Sequence, residues 1–176
     1  MKGGQGSVFS LSLDGTHRWM TLLVGVVLLG LVMLEGGAAV RSFLAGHTGS
    51  GLLFGAAALL VLGLMLGIYV FSPRSYRVEE SWVTVDRIGP KVRIHAAHIL
   101  DVKPVTLGLA IRTCGCAGFF GAWGWFWTRG IGSYRAYLTR KDNLVLLELK
   151  NRRPVVLSPD DPDRFAMAVR EIALGS

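Results

Sequence analysis

Two cysteines and two of the histidines are among the residues of this 176-residue chain that could bind a metal ion or carry redox chemistry. Cys114 and Cys116 form a C-x-C pair, which is tighter than the C-x-x-C spacing of common zinc and redox sites. His95 and His98 are close in sequence, but nothing in the sequence places them beside the cysteines. We therefore expect no metal, no cofactor and no disulfide framework, with small buried or loop thiols as the simpler interpretation.

Acidic residues cluster at Asp160, Asp161 and Asp163, where carboxylates could ligate a divalent cation or act in catalysis. A helix cap explains the cluster without a metal, because Asp161 directly precedes Pro162, a residue favoured at the first helical position. The chain also lacks the sequence motifs of serine hydrolases, zinc metalloproteases, P-loop proteins and dinucleotide-binding proteins. We predict that the protein is not an enzyme.

A segment rich in aromatic residues and glycine, between residues 106 and 132, is the most unusual part of the sequence. Its tryptophans alternate along the chain, so an extended backbone would place the three indole rings on one face. Indole favours the membrane–water interface, because the ring is apolar while its N–H can stay hydrated. We predict a membrane-resting hairpin with these interface candidates: Phe119, Phe120, Trp123, Trp125 and Trp127. In the alternative, the rings fill the core of the domain or contact the apolar helices. The many neighbouring glycines favour the membrane-facing interpretation, because they suit a loop better than a packed strand.

Basic residues concentrate at two predicted strand tips, in a chain with a net charge of +7. The candidates for contact with anionic lipid are Arg87, Lys91, Arg93, Arg152 and Arg153. The alternative is an ordinary solvated basic surface. No nucleic-acid-binding motif accompanies these residues, so nucleic acid is not an expected partner.

Two apolar stretches predict membrane-spanning helices at about residues 19–40 and 51–71. The second stretch has 21 uncharged residues, enough to span about 30 Å of hydrocarbon as a helix. A cleavable signal peptide is the alternative for the first stretch, because Ala38, Ala39 and Val40 resemble a cleavage site. The second helix also carries a stripe of small residues suited to close packing within the hairpin or between copies of the chain: Gly51, Gly55, Gly63 and Gly67.

Positive charge near the apolar stretches predicts the orientation of the chain. Lys2 and Arg18 precede the first stretch and Arg74 and Arg77 follow the second, whereas the loop between the stretches has only Arg41. The positive-inside rule therefore places both termini and the following domain in the cytoplasm. With the family resemblance described below, the expected location is the inner membrane of a bacterium.

Alternating apolar residues predict a mainly-β domain over residues 72–176, after an N-terminal leader and helical hairpin over residues 1–71. Seven short strands are expected in an antiparallel open barrel or sandwich: 76–80, 82–87, 92–95, 99–105, 133–139, 144–149 and 154–157. An amphipathic helix then closes the chain, with Phe165, Val169 and Ile172 on its apolar face.

The segment from Val155 to Phe165 carries a resemblance to the bacterial pleckstrin homology (PH) domains that follow transmembrane helices. There, a strand runs into a Ser-Pro-Asp-Asp-Pro cap and a final helix with an inward aromatic residue. Residues 130–139, residues 143–147 and the Arg112-Thr113 pair beside a glycine-rich loop are similar to the same family. The resemblance covers about residues 72–174 and implies a seven-stranded PH-like fold with a C-terminal helix, held at a membrane. It implies no reaction.

A scaffold or recognition module at the membrane is the function we expect from these features. Its expected partners are membrane lipids, an unidentified membrane or cytoplasmic protein, or further copies of the chain. The alternative is a subunit of an oligomeric transporter or channel, in which Glu35 and the glycine stripe contribute to a pore.

Overall fold

The computed structural model describes residues 7–118 and 120–175 and begins with a short strand followed by two long helices. Helix α1 spans Gly15–Leu44 and helix α2 spans Thr48–Phe71, so both are longer than predicted. They pack against each other as a hairpin, and most of their side chains are exposed. By length and composition, both helices are suited to crossing a membrane.

The glycines of α2 divide into two groups. A Cβ atom added at Gly51 would lie 3.0 Å from the ring of Phe43, and one at Gly55 would lie 4.0 Å from the Cβ atom of Ala39. Gly51 and Gly55 therefore pack against α1. Gly63 and Gly67 have no such neighbour within 4 Å among the described residues.

The helical hairpin connects two adjacent strands of one sheet. Strand β1 (Ser7–Ser10) pairs antiparallel with β2 (Ser75–Glu79), which pairs with β3 (Trp82–Asp86), and β3 pairs with β4 (Val92–His95). Phe9 of β1 lies opposite Tyr76 and is buried in the core. Strand β1, which belongs to the N-terminal leader, therefore packs with the mainly-β domain predicted over residues 72–176.

A six-stranded sheet forms the other layer of the domain. Its strands, in spatial order β5-β9-β10-β8-β7-β6, are β5 (Ile99–Val105), β6 (Ile111–Ala117), β7 (Ala122–Thr128), β8 (Gly132–Leu138), β9 (Leu144–Leu149) and β10 (Val155–Leu157). A short 3-10 helix, Ala96–His98, leads into β5. The pairing of β10 with β8 is parallel, whereas the other strand pairs of this sheet are antiparallel.

Helix α3 (Pro162–Leu174) closes the main core, as predicted from its sequence. The Asp161 side chain caps it by accepting a hydrogen bond of 3.0 Å from the backbone N–H of Arg164. Phe165 and Val169 are fully buried between the two sheets. The Tyr76 hydroxyl joins the layers: it donates to the backbone carbonyl of Tyr137 and accepts from the Ser158 N–H at 3.0 Å.

The number of strands differs from the prediction. All seven predicted strands are present, but nine strands follow α2 in the described part of the chain, because β6 and β7 occupy most of the segment expected to be a loop. These two strands extend one edge of the six-stranded sheet beyond the main core. A second apolar cluster, which includes Phe126, Tyr134 and Leu146, lies on the other face of that sheet.

Replacement of Phe9 by alanine tests whether the leader strand belongs to the core. The substitution should lower the free energy of unfolding by about 3–5 kcal/mol, because it leaves a cavity between β1 and α3. Val8→Ala is the matched control: Val8 is 63 % exposed, so its loss should cost about 0.5 kcal/mol or less. Thermal unfolding of the full chain in detergent, followed by near-ultraviolet circular dichroism, measures both. Equal effects of the two substitutions would contradict the placement of β1.

Candidate functional site

A pair of facing glycines allows the β6–β7 hairpin to form. Gly115 lies opposite Gly124, and their φ angles of 120° and 123° are in a region that other residues rarely adopt. A Cβ atom at Gly124 would lie 2.3 Å from the carbonyl oxygen of Cys114, and one at Gly115 would lie 2.1 Å from that of Trp123. The glycines of this segment therefore permit close strand pairing, and the expectation that they favour a loop is wrong.

The turn of this hairpin lies against the ends of both long helices. The N–H of Phe120 donates to Thr21 Oγ1 of α1 at 3.0 Å, and the Phe120 ring lies 5.1 Å from that of Tyr69 in α2. A Cβ atom at Gly118 would lie 3.2 Å from the terminal methyl group of Met20. The turn of the hairpin thus lies beside both long helices. Phe119 lies outside the described residues.

The three alternating tryptophans share one face of β7 but lie in different environments. Trp123 packs against the main core, and its ring is 5.8 Å from that of Phe71, the last residue of α2. Trp125 lies between two guanidinium groups, those of Arg135 at 5.4 Å and Arg153 at 5.0 Å. Trp127 is 41 % exposed at the far end of the strand.

An alternating series of arginine and aromatic side chains continues from the end of α2 across this face. The Arg87 guanidinium lies 5.3 Å from the Phe71 ring and 5.8 Å from the Tyr137 ring. Arg135 then lies 5.5 Å from Tyr137 and also stacks on Trp125. We call this series the arginine–aromatic row; its members in spatial order are Phe71, Arg87, Tyr137, Arg135, Trp125 and Arg153. Aromatic faces hold guanidinium groups by cation–π attraction, so the row presents three oriented positive charges.

Burial and mutual repulsion shape the electrostatics of the row. Partial burial lowers the pKa of Arg87; Tyr137 acts in the opposite direction, and the nearby charge of Arg135 lowers the pKa further. Burial raises the pKa of the Tyr137 hydroxyl, although both arginines act in the opposite direction. An anion beside these arginines would relieve the repulsion between them.

The predicted anionic-lipid candidates do not form one group. Arg87 and Arg153 belong to the row, but Lys91 lies 3.0 Å from Asp86 in an ion pair. Arg93 is exposed on the opposite face of its sheet, since the next residue, Ile94, points into the core. Arg152 lines a groove of about 1010 Å³ on the other face of the six-stranded sheet.

The predicted metal-ligating candidates also lie apart. Cys114 and Cys116 lie on β6, opposite Trp125 and Trp123, whereas the His95 ring lies 6.0 Å from that of His98 beside β4. Within residues 7–118 and 120–175, no group of three or more His, Cys, Asp or Glu side chains is arranged to hold a metal ion.

Three members of the row were not identified from the sequence: Phe71, Arg135 and Tyr137. A signal for two of them was present, because Arg135 and Tyr137 alternate with Tyr134 and Ala136 and must share a face of β8. The stacking of Arg87 on that face depends on how the two sheets pack, which strand periodicity does not determine.

Comparison with known protein families matches residues 74–173 to the bacterial PH domain family, and the chain therefore belongs to that family. PH domains are typically non-catalytic modules for interaction with proteins or lipids. The matched region includes every member of the row except Phe71. No curated protein and no solved structure matches the sequence.

Substitution of Gly124 by alanine tests the pairing that builds this face. The new Cβ atom would clash with the Cys114 carbonyl and force a strained φ, so the free energy of unfolding should fall by about 2 kcal/mol or more. The matched control is Gly130→Ala in the β7–β8 turn, where a Cβ atom meets nothing within 4 Å. It should change stability by about 0.5 kcal/mol or less. Thermal unfolding measures both, and a neutral Gly124→Ala would contradict the observed pairing.

Proposed function

We propose that the protein is a membrane-anchored, non-enzymatic recognition module of the bacterial inner membrane. In this proposal, α1 and α2 cross the membrane, both termini lie in the cytoplasm, and the PH domain is held against the inner leaflet. The arginine–aromatic row recognises the anionic surface of that leaflet. The observation that carries the proposal is that the row begins at Phe71, the last residue of α2, on whose ring Arg87 stacks at 5.3 Å.

The contacts at the helix ends support this arrangement. Arg74, three residues after α2, stacks on Tyr69 at 4.9 Å, and the N–H of Gly89 in the β3–β4 turn donates to the Val70 carbonyl at 2.9 Å. Aromatic and arginine side chains at the end of an apolar helix are typical of the membrane–water boundary. The domain thus starts at the level where lipid headgroups would lie.

The direction of the β6–β7 hairpin also supports contact between its turn and the membrane. Its turn is level with Thr21 and Tyr69, which lie inside the predicted spans, whereas Trp123 is level with Phe71 at the end of α2. Strand β7 therefore leads away from the helices, and Trp127 is about 13 Å farther along it than Trp123. Within the aromatic segment, we propose the turn and Trp123 as the membrane contact in preference to Trp127.

Cysteine labelling in intact cells tests the proposed orientation. In a chain whose two native cysteines are replaced by serine, His47→Cys between the helices should react with a membrane-impermeant maleimide. Arg152→Cys in the β9–β10 turn should react only after permeabilisation, because that turn would be cytoplasmic. Labelling with the opposite pattern would place the domain outside the cell and refute the proposal.

Hydrogen exchange tests recognition of the anionic surface. The full chain is placed in nanodiscs of neutral phosphatidylcholine, with or without phosphatidylglycerol, at equal ionic strength. Amides of the β6–β7 turn should exchange several-fold more slowly with phosphatidylglycerol, because the basic residues draw this end of the domain toward negative charge. The β7–β8 turn at residues 129–131, at the other end of the same strands, is the internal control. Equal exchange of the β6–β7 turn in both lipids would contradict recognition of the anionic surface.

A further inference from the structure

Four basic side chains of the domain are neutralised by ion pairs, and the arginines of the arginine–aromatic row are not among them. Arg77 and Lys91 each lie 3.0 Å from Asp86, and Lys103 contacts Glu148. Arg140 contacts both Asp142 and Asp160. Among the described residues, no carboxylate oxygen lies within 4.0 Å of a guanidinium nitrogen of the row arginines, Arg87, Arg135 and Arg153. The charge of the row is therefore uncompensated.

Several buried polar atoms of the same face lack hydrogen-bond partners. Of the seven buried side-chain atoms without a partner among the described residues, three lie here: Arg135 Nε, Tyr137 Oη and Trp123 Nε1. Trp123 and Tyr137 are directly opposite each other on β7 and β8, and Arg135 stacks on Tyr137. Buried donors without acceptors are rare and destabilising. Arg135 as a whole is only half-buried, so an acceptor from outside the chain can approach its terminal N–H groups.

The stacking of Arg135 prepares it for a planar, two-point contact. Trp125 and Tyr137 both hold its guanidinium group at about 5.5 Å. A fixed guanidinium offers its two terminal nitrogens to two oxygens of a phosphate, and such bidentate pairs are among the strongest hydrogen bonds in proteins. Arg153, which is exposed, lies on the same indole ring and can add a second charge.

We infer that the arginine–aromatic row is a phosphate-binding site centred on Arg135, with Arg87 and Arg153 on either side. The inference rests on the proposed recognition of an anionic surface and narrows it to one chemical group and one central residue. The phosphate is supplied by the headgroup of an anionic lipid or by a soluble phosphate compound. Unlike the candidates at the strand tips, Arg135 lies in the interior of β8.

The central test measures how variants of the full chain bind phosphatidylglycerol in detergent micelles, by native mass spectrometry. Arg135→Gln should weaken binding at least about 10-fold, because it removes a charge-assisted bidentate contact. Arg135→Lys should also lose most of the affinity, since lysine keeps the charge without the planar pair of donors. Arg93→Gln and Arg93→Lys are the matched controls on the opposite face and should stay within about 2-fold of the wild type.

A second variant keeps the test valid if Arg135→Gln misfolds. Arg153 is exposed, so Arg153→Gln should leave the melting temperature unchanged while weakening binding about 3-fold or more.

A third measurement distinguishes a lipid headgroup from a soluble phosphate compound as the source of the phosphate. It compares the shift in melting temperature caused by inorganic phosphate with that caused by chloride at equal ionic strength. A shift that Arg135→Gln abolishes indicates that a soluble phosphate is sufficient. Binding of phosphatidylglycerol with no such shift indicates that the lipid is required, and both results support the site.

The outcomes also separate this inference from the proposed function. If Arg135 and Arg153 variants bind phosphatidylglycerol as the Arg93 variants do, the phosphate site is wrong, although slower exchange with anionic lipid would still support the proposed function. If Arg135→Gln abolishes a phosphate-dependent shift but exchange is the same in both lipids, the site stands and membrane recognition fails. If the wild-type chain responds to neither phosphatidylglycerol nor phosphate, the inference is overturned.

Discussion

The antiparallel pairing of β1 with β2 is the constraint on which the rest of the structure depends. These strands are neighbours in the sheet, yet the whole helical hairpin lies between them in sequence. Because β1 and β2 lie side by side, α1 must leave the domain and α2 must return to it at the same edge. Two covalent connections therefore hold the domain at the open end of the hairpin, and contacts of the leader with Thr139 and Asp160 reinforce them. This geometry places Phe71 beside the six-stranded sheet.

The β6–β7 hairpin packs beside Phe71 at the ends of the long helices. It extends the six-stranded sheet past the region covered by the four-stranded sheet, so its tryptophan face meets the helix ends at one end and Arg135 and Arg153 along its length. The close approach of its strands depends on Gly115 and Gly124, because the facing carbonyl oxygens leave no room for a Cβ atom and the positive φ angles of both residues suit glycine. Without this extension, Tyr137 and Arg135 of β8 would lie at the edge of the sheet, with no indole to hold the guanidinium group.

Strand alternation and helix capping were sufficient to predict much of the fold. The seven expected strands and α3 are present because their apolar residues repeat with the period of the element and Asp161-Pro162 marks the helix start. Strand β1 has only four residues, with Phe9 as its one buried side chain, so its pairing is visible only once β2 is in place. Strands β6 and β7 were missed because their glycines resemble a loop in composition, whereas the cross-strand clash that requires them depends on two facing positions. The row was missed for a similar reason, since it joins residues from α2, the β3–β4 turn, β7, β8 and the β9–β10 turn.

The small number of arginines in the row is consistent with a module that is already tethered. Basic residues near an anionic surface contribute about 1 kcal/mol each, so three of them would hold a free domain only weakly against the loss of its translational freedom. A domain joined to two membrane-spanning helices would lose little of that freedom, because its effective concentration at the surface is already high. Under the proposed function, the helices keep the domain at the membrane. The row then orients the domain on the surface and distinguishes anionic from neutral lipids. A few oriented positive charges without acidic partners are suited to this role. A site that discriminates between lipids needs a difference between its two affinities more than a large affinity for either.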